Sequence, residues 1–188
     1  MRLFLAINLD PATRHSVYAA AAPLRAAAPD LGWIDADRLH VTLKFLGEQT
    51  EDMGGRVVAA MDGVSRRHRW VQSDLHEFGA FPNLRRARVV FMGMGHDPRH
   101  EMLHHDVEIA CRDLGFPAEG RPFRPHVTLA RVRRPLSRDA VRALRKAMEN
   151  EAGEPVPVTV RSIDLMHSML RPAGPSYNLV HASPLRES

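Results

Sequence analysis

The stretch His40-Val41-Thr42-Leu43-Lys44-Phe45-Leu46-Gly47 decides the fold, because its opening tetrapeptide returns unchanged as His126-Val127-Thr128-Leu129. The chain has five threonines, and two of them stand two places after a histidine in identical surroundings. Alternating polar and apolar residues read as a strand in both places. On a strand, residues i and i+2 share a face about 6.5–7 Å apart. Each copy therefore sets an imidazole beside a hydroxyl and sends its valine and leucine to the opposite, core-facing side. One such strand with a polar face is ordinary; two identical ones in corresponding positions predict two related lobes.

Working outward, Arg2–Asn8 reads as a buried strand, and Asp10-Pro11 is a cap and first-turn pair opening an alanine-rich helix toward Pro29. Thr50 caps a second helix to about Arg69, followed by strands near Val71–Phe81 and Arg88–Gly93 with a turn between them at Pro82 and Asn83. Asp97-Pro98 opens a third helix that Gly115 stops. A strand at Pro125–Val132, a helix from Ser137 to about Asn150, and closing strands at Val156–Met169 and Tyr177–Ala182 complete the reading. Strand–helix–strand–helix–strand thus occurs twice, with no Ser/Gly-rich linker between the halves. The expectation is a single α+β domain over residues 1–188, made of two pseudo-symmetric lobes.

The 188 residues, 44% hydrophobic and 26% charged, have the balance of a globular protein and not of a disordered, collagen-like or coiled-coil chain. Apolar runs are far shorter than the roughly 20 residues of a membrane span, and the N-terminal run is too short for a signal peptide. One cysteine, Cys111, makes no internal disulfide, which fits the cytoplasm. The 26 basic side chains include only two lysines, Lys44 and Lys146. Arginine pairs bidentately with phosphate, so the net charge of +4 gives weak support for a nucleic-acid partner.

Two His/Thr pairs facing one another suit a phosphodiester. Cleavage takes a proton from the nucleophile and gives one to the leaving oxygen on the far side, and histidine does either near neutral pH. The hydroxyls of Thr42 and Thr128 donate to the non-bridging oxygens as charge builds there. This chemistry needs no metal and no cofactor.

His40–Glu48 (HVTLKFLGE) and Arg121–Arg131 (RPFRPHVTLAR) resemble the two HxTx signatures of the two-histidine phosphoesterases. Within that superfamily the chain is similar to the RNA 2′,3′-cyclic phosphodiesterases, also called 2′-5′ RNA ligases. The Met1–Ile7 strand, the Phe81-Pro82 turn and Arg88–Phe91 extend the resemblance over nearly the whole chain. It implies a bilobal fold of two antiparallel sheets facing a central cleft, with helices outside. The implied reaction hydrolyses an RNA terminal 2′,3′-cyclic phosphate to a 2′-phosphomonoester, with the reverse ligation permitted at the same site. His40 is similar to the donor to the leaving 3′ oxygen and His126 to the base that activates water. Thr42 and Thr128 match the phosphate-holding hydroxyls, and Arg131 matches an arginine that contacts substrate. Strict alternation puts Arg131 on the wrong face, so either its strand ends or a bulge re-aims it. The same alternation puts Lys44 on the His40 face as a second cation. Phe45 and Phe81 are candidates to stack on a terminal base, and Arg85, Arg86, Arg88 and Arg124 to guide the rest of the RNA. The implied partner is RNA bearing a 2′,3′-cyclic end, bound by a monomer with no membrane and no obligate protein partner.

Two other readings compete. His100-Glu101-Met102-Leu103-His104 fits the H-E-x-x-H zinc hydrolase pattern on a predicted helix. The extended pattern is missing, since Val107 and Ala110 stand where Gly and His are required, and four histidines between His96 and His105 are consistent with a solvated helix face. A non-catalytic RNA-binding module explains the basic surface but has no use for two matched His/Thr pairs.

Overall fold

The computed structural model describes residues 1–150, 154–171 and 174–187. Its strands are β1 (Arg2–Asn8), β2 (Gly32–Trp33), β3 (His40–Glu48), β4 (Val71–Phe81), β5 (Val89–Met94), β6 (His126–Arg131), β7 (Val156–Val160), β8 (Ser162–Arg171) and β9 (Gly174–Pro184). Its helices are α1 (Pro11–Ala20), α2 (Ala22–Ala27), α3 (Glu51–Ser65), α4 (Pro98–Asp113) and α5 (Arg138–Asn150). The caps act where the sequence places them. Asp10 accepts from the Thr13 backbone N–H at 2.9 Å and Thr50 from that of Met53 at 3.2 Å, while Gly115, with φ +95°, follows α4.

The nine strands form one curled sheet in the order β7-β4-β5-β6-β3-β1-β8-β9, with the short β2, which the sequence reading did not include, beside β6. The expected two separate sheets are thus a single antiparallel one. Four strands stand on either side of the β3/β6 junction, which rests on one residue pair, Val41 opposite Val127. The two wings are not the two halves of the sequence. The wing of β3 and β1 is completed by the C-terminal β8 and β9, and the wing of β6 by β5 and β4 from the middle of the chain with β7, which follows α5, at its edge.

The helices cover one face of this sheet. Val41 and Val127 are fully buried there among Val17 of α1, Met61 and Val64 of α3, and Leu103 and Val107 of α4. Cys111 lies in the same core, where burial pushes its thiol up to about 11 and leaves it protonated and unreactive. Among the described residues, no helix is long and apolar enough to cross a membrane.

Both central strands carry a bulge at the same place. In β3 the partners step from Thr42 opposite Ala6 to Lys44 opposite Leu5, so Leu43 is the extra residue. In β6 they step from Thr128 opposite Phe91 to Ala130 opposite Val90, so Leu129 is extra. An extra residue reverses the alternation beyond it. Lys44 therefore turns to the helix side, contrary to the expectation that it shares the His40 face. Its Nζ donates to both Glu108 carboxylate oxygens (2.7 and 2.9 Å) and to the Pro117 carbonyl (2.9 Å). Burial alone raises the Glu108 carboxyl; hydrogen bonds from Lys44 and from the Glu119 backbone, with the charge of Lys44, outweigh it and hold the group below its ordinary value.

Removing one member of a buried ion pair leaves the other charge uncompensated, at a cost of about 3 kcal/mol. Lys44→Met is therefore expected to lower unfolding stability in urea by about that much. Adding Glu108→Gln should restore more than half of the loss. A single variant within experimental error of the parent would show that the pair contributes nothing.

Candidate active site

With Val41 opposite Val127, antiparallel geometry sets His40 across from Thr128 and Thr42 across from His126. All four side chains lie on the face away from the helices. The imidazoles occupy diagonal positions, about 7–8 Å apart in an ideal ladder, with a hydroxyl beside each. An approximate two-fold axis passes between the valines, and a phosphorus centre on it would meet one imidazole from each side.

The supports of the two histidines are also matched. His40 Nδ1 donates to the Arg38 carbonyl at 2.8 Å and His126 Nδ1 to the Arg124 carbonyl at 2.6 Å, each two residues upstream. A carbonyl only accepts, so Nδ1 carries the proton and Nε2 is left as the basic nitrogen. Each ring is flanked by two aromatics. His40 meets Phe4 (5.1 Å between centroids) and the edge of Tyr177 (5.2 Å), while His126 meets Phe81 (5.0 Å) and Phe91 (5.3 Å). Burial lowers both imidazole pKa values, against the opposing effect of the carbonyl hydrogen bonds; Arg14, Arg131 and His126 itself lower His40 further. Phe4 and Tyr177 escaped the sequence reading because only strand pairing brings β1 and β9 beside His40.

The other candidate residues divide clearly. Beyond the β6 bulge, Arg131 pairs with Val89, two residues from Phe91, and so emerges on the histidine face. Phe45, the matching residue of β3, stands on that face opposite Phe4, 68% exposed, with the two rings 6.2 Å apart. Phe81 stacks on Phe91 at 4.2 Å and presents itself to His126. Lys44 is absent from the group, being engaged with Glu108 on the far side. Arg85, Arg86, Arg88 and Arg124 are all exposed.

The H-E-x-x-H residues do not assemble. His100 and His104 are buried, against the expectation of a solvated face, because they lie on the side of α4 that meets the sheet. His104 stacks flat on Phe123 at 4.0 Å, whereas Glu101 is turned to solvent against His96 at 3.2 Å. Among the described residues, no three His, Cys, Asp or Glu side chains are placed to hold a metal ion.

A family model for the 2′-5′ RNA ligase superfamily matches residues 13–169. The chain belongs to that superfamily. Relatives named RNA 2′,3′-cyclic phosphodiesterase include one from Methanothermobacter thermautotrophicus, 31% identical over 178 residues covering 94% of this chain and 95% of the relative. Another, from Thermus thermophilus, is 31% identical over 99% of this chain and 91% of its own length. Among solved structures, a Thermus thermophilus protein superimposes with a TM-score of 0.81 at 26% identity, each chain covered in full. E. coli LigT complexed with 3′-AMP gives 0.74 at 26% identity, covering 98% of this chain and 97% of LigT. Membership in this family makes the chain an enzyme, a hydrolase.

Burial lowers the pKa of four imidazoles: His40, His100, His104 and His126. The unfolded chain protonates them near 6.5 while the folded protein resists, so stability should fall as pH drops below about 6.5. The decline should level off once the folded-state imidazoles protonate as well. Replacing His40 and His126 together by Asn, which keeps a donor for each carbonyl, is expected to shrink the difference in urea midpoint between pH 7.5 and pH 5.5. An unchanged difference would mean that these two rings are not held neutral by their surroundings.

Proposed function

We propose that this chain hydrolyses RNA ends carrying a 2′,3′-cyclic phosphate to 2′-phosphomonoesters by metal-independent acid/base catalysis. The observation that carries the reading is the pair of imidazoles, each with Nδ1 fixed by a carbonyl, set diagonally across one face with a threonine hydroxyl beside each. In the proposed step, His126 Nε2 removes a proton from water, whose oxygen forms the new bond to phosphorus. The P–O3′ bond breaks in line, and protonated His40 gives its proton to the departing oxygen. Thr42 and Thr128 donate to the non-bridging oxygens, and Arg131 supplies positive charge on the same face. The anionic substrate itself favours protonation of His40, countering the effect of burial and of Arg14. Phe45 and Phe81 are rings on this face against which an unpaired base can rest. With a 5′-hydroxyl in the place of water, the same positions run the ligation: its proton goes to His126, its oxygen bonds to phosphorus, and O3′ departs with the proton from His40, leaving a 2′-5′ linkage. The reading has the chain working as a cytoplasmic monomer on free RNA ends, which its single buried cysteine suits.

A positioned proton-transfer group is worth about 10²–10⁴ in rate. His40→Ala and His126→Ala are each expected to reduce kcat on a 2′,3′-cyclic nucleotide within that range, with circular dichroism unchanged. Chromatography should identify the product as the 2′-phosphate, and turnover should survive excess EDTA. Near-normal turnover in either variant, a 3′-phosphate product, or activity abolished by EDTA and restored by zinc would each overturn the reading.

A further inference from the structure

On the His40 side of the cleft, a cavity of about 420 Å³ lies between the start of α1, β1 and the β8–β9 hairpin. Tyr177 and Leu179 give it an apolar wall, and Asn8, Arg14 and Asp164 give it a polar end. Asp164 is only 3% exposed. Its Oδ2 accepts from the Asn8 side-chain amide at 2.7 Å and from the Asn8 backbone N–H at 3.3 Å, while its buried Oδ1 has no partner. Arg14 carries the complementary unused group. Its terminal nitrogens donate to the Asp37 carbonyl (2.8 Å) and to Asn8 Oδ1 (3.2 Å), but its buried Nε donates to nothing. One anionic acceptor and one cationic donor, joined through Asn8, thus stand unused beside the same cavity. Leaving such groups unpaired is costly, and proteins retain them where something outside the chain satisfies them.

The other wing also has a cavity beside its histidine, of about 300 Å³, but it is lined by Phe81, Phe91 and Phe123 and reaches His100 of α4, and it holds no equivalent of Asp164. Strand register makes Gly93, opposite His126, the equivalent of Asn8, opposite His40. Likewise Asp164, beside Ala6, corresponds to Gly79, beside Phe91. A Cβ at Gly79 would come within 2.4 Å of the Phe91 ring, so an aromatic takes the place that the Asp164 carboxylate has here. The His/Thr centre is duplicated and the Asn8–Asp164 pair is not, since glycines hold both equivalent positions. Asp164 also lies two strand spacings from Thr42, roughly 9.5 Å. That is the reach of a nucleoside from its cyclic phosphate to the edge of its base.

We propose that this cavity receives the base of the cyclic nucleotide, with an N–H of the base edge donated to Asp164 Oδ1, a neighbouring acceptor atom taking the Arg14 Nε–H, and Tyr177 lining the face of the ring. Asp164 then sets base preference. The inference rests on the phosphodiesterase reading and deepens it. A nucleoside held on this side puts the departing O3′ next to His40 and leaves the opposite side, at His126, to water.

The test is kcat/KM for the four 2′,3′-cyclic nucleotides with the parent protein, Asp164→Asn and Arg14→Lys, thermal melts being recorded for each. A site that hydrogen-bonds a base should give the parent a spread of about tenfold or more across the four. Both substitutions should narrow or reorder that spread, chiefly through KM. An equal loss on all four bases would show a purely structural role, and either that result, an even parent profile or unchanged ratios overturns the inference. If Asp164→Asn fails to fold, Arg14→Lys, altered on a partly exposed helix, decides alone. A parent that cleaves none of the four overturns the phosphodiesterase reading instead, which keeps the two failures apart.

Discussion

One backbone pairing governs this molecule: Val41 against Val127, the sole register contact between β3 and β6. It joins two four-stranded wings into one sheet and fixes which residues face the cleft. Because side chains alternate with a period of two, a slip by one residue would turn both histidines into the core and both valines out. The complete burial of Val41 and Val127 against the helices is what prevents it. The same apolar packing that stabilises the sheet thereby aligns the two imidazoles and the two threonine hydroxyls on the opposite face.

The paired bulges add a second layer. At Leu43 and Leu129 each strand shifts its partner, so the next residue goes behind the sheet and the one after comes forward. Up to the bulge the two strands are identical, and beyond it they differ. Lys44 and Ala130 go behind; Phe45 and Arg131 come forward. A symmetric pair of imidazoles is thus framed by an aromatic on one side and a guanidinium on the other.

Much of this was legible in the sequence wherever the cause is local. The repeated tetrapeptide, the helix starts at Asp10, Thr50 and Asp97, and the stop at Gly115 depend on side chains within a few residues of the feature they specify. Features that arise from distant pairing were not. The alternation that located His40 and Thr42 misplaced Lys44, because a bulge is a property of two strands and not of one. The union of the wings into one sheet, the ring of Tyr177 over His40, and the burial of His100 and His104 all come from contacts between remote segments. Arg131 was open to both outcomes, and the bulge decided it.

The crossing of the chain between wings bears on how the molecule is made. Both histidines have been synthesised once β6 is complete, yet the wing behind His40 then lacks β8 and β9, the strands that contribute Tyr177 and Asp164. Those pairings span most of the polypeptide, from Phe4 to Met166, and contacts of such long range form late. A nascent chain emerging from the ribosome therefore carries both imidazoles in an unfinished frame, which is completed only when β8 and β9 dock.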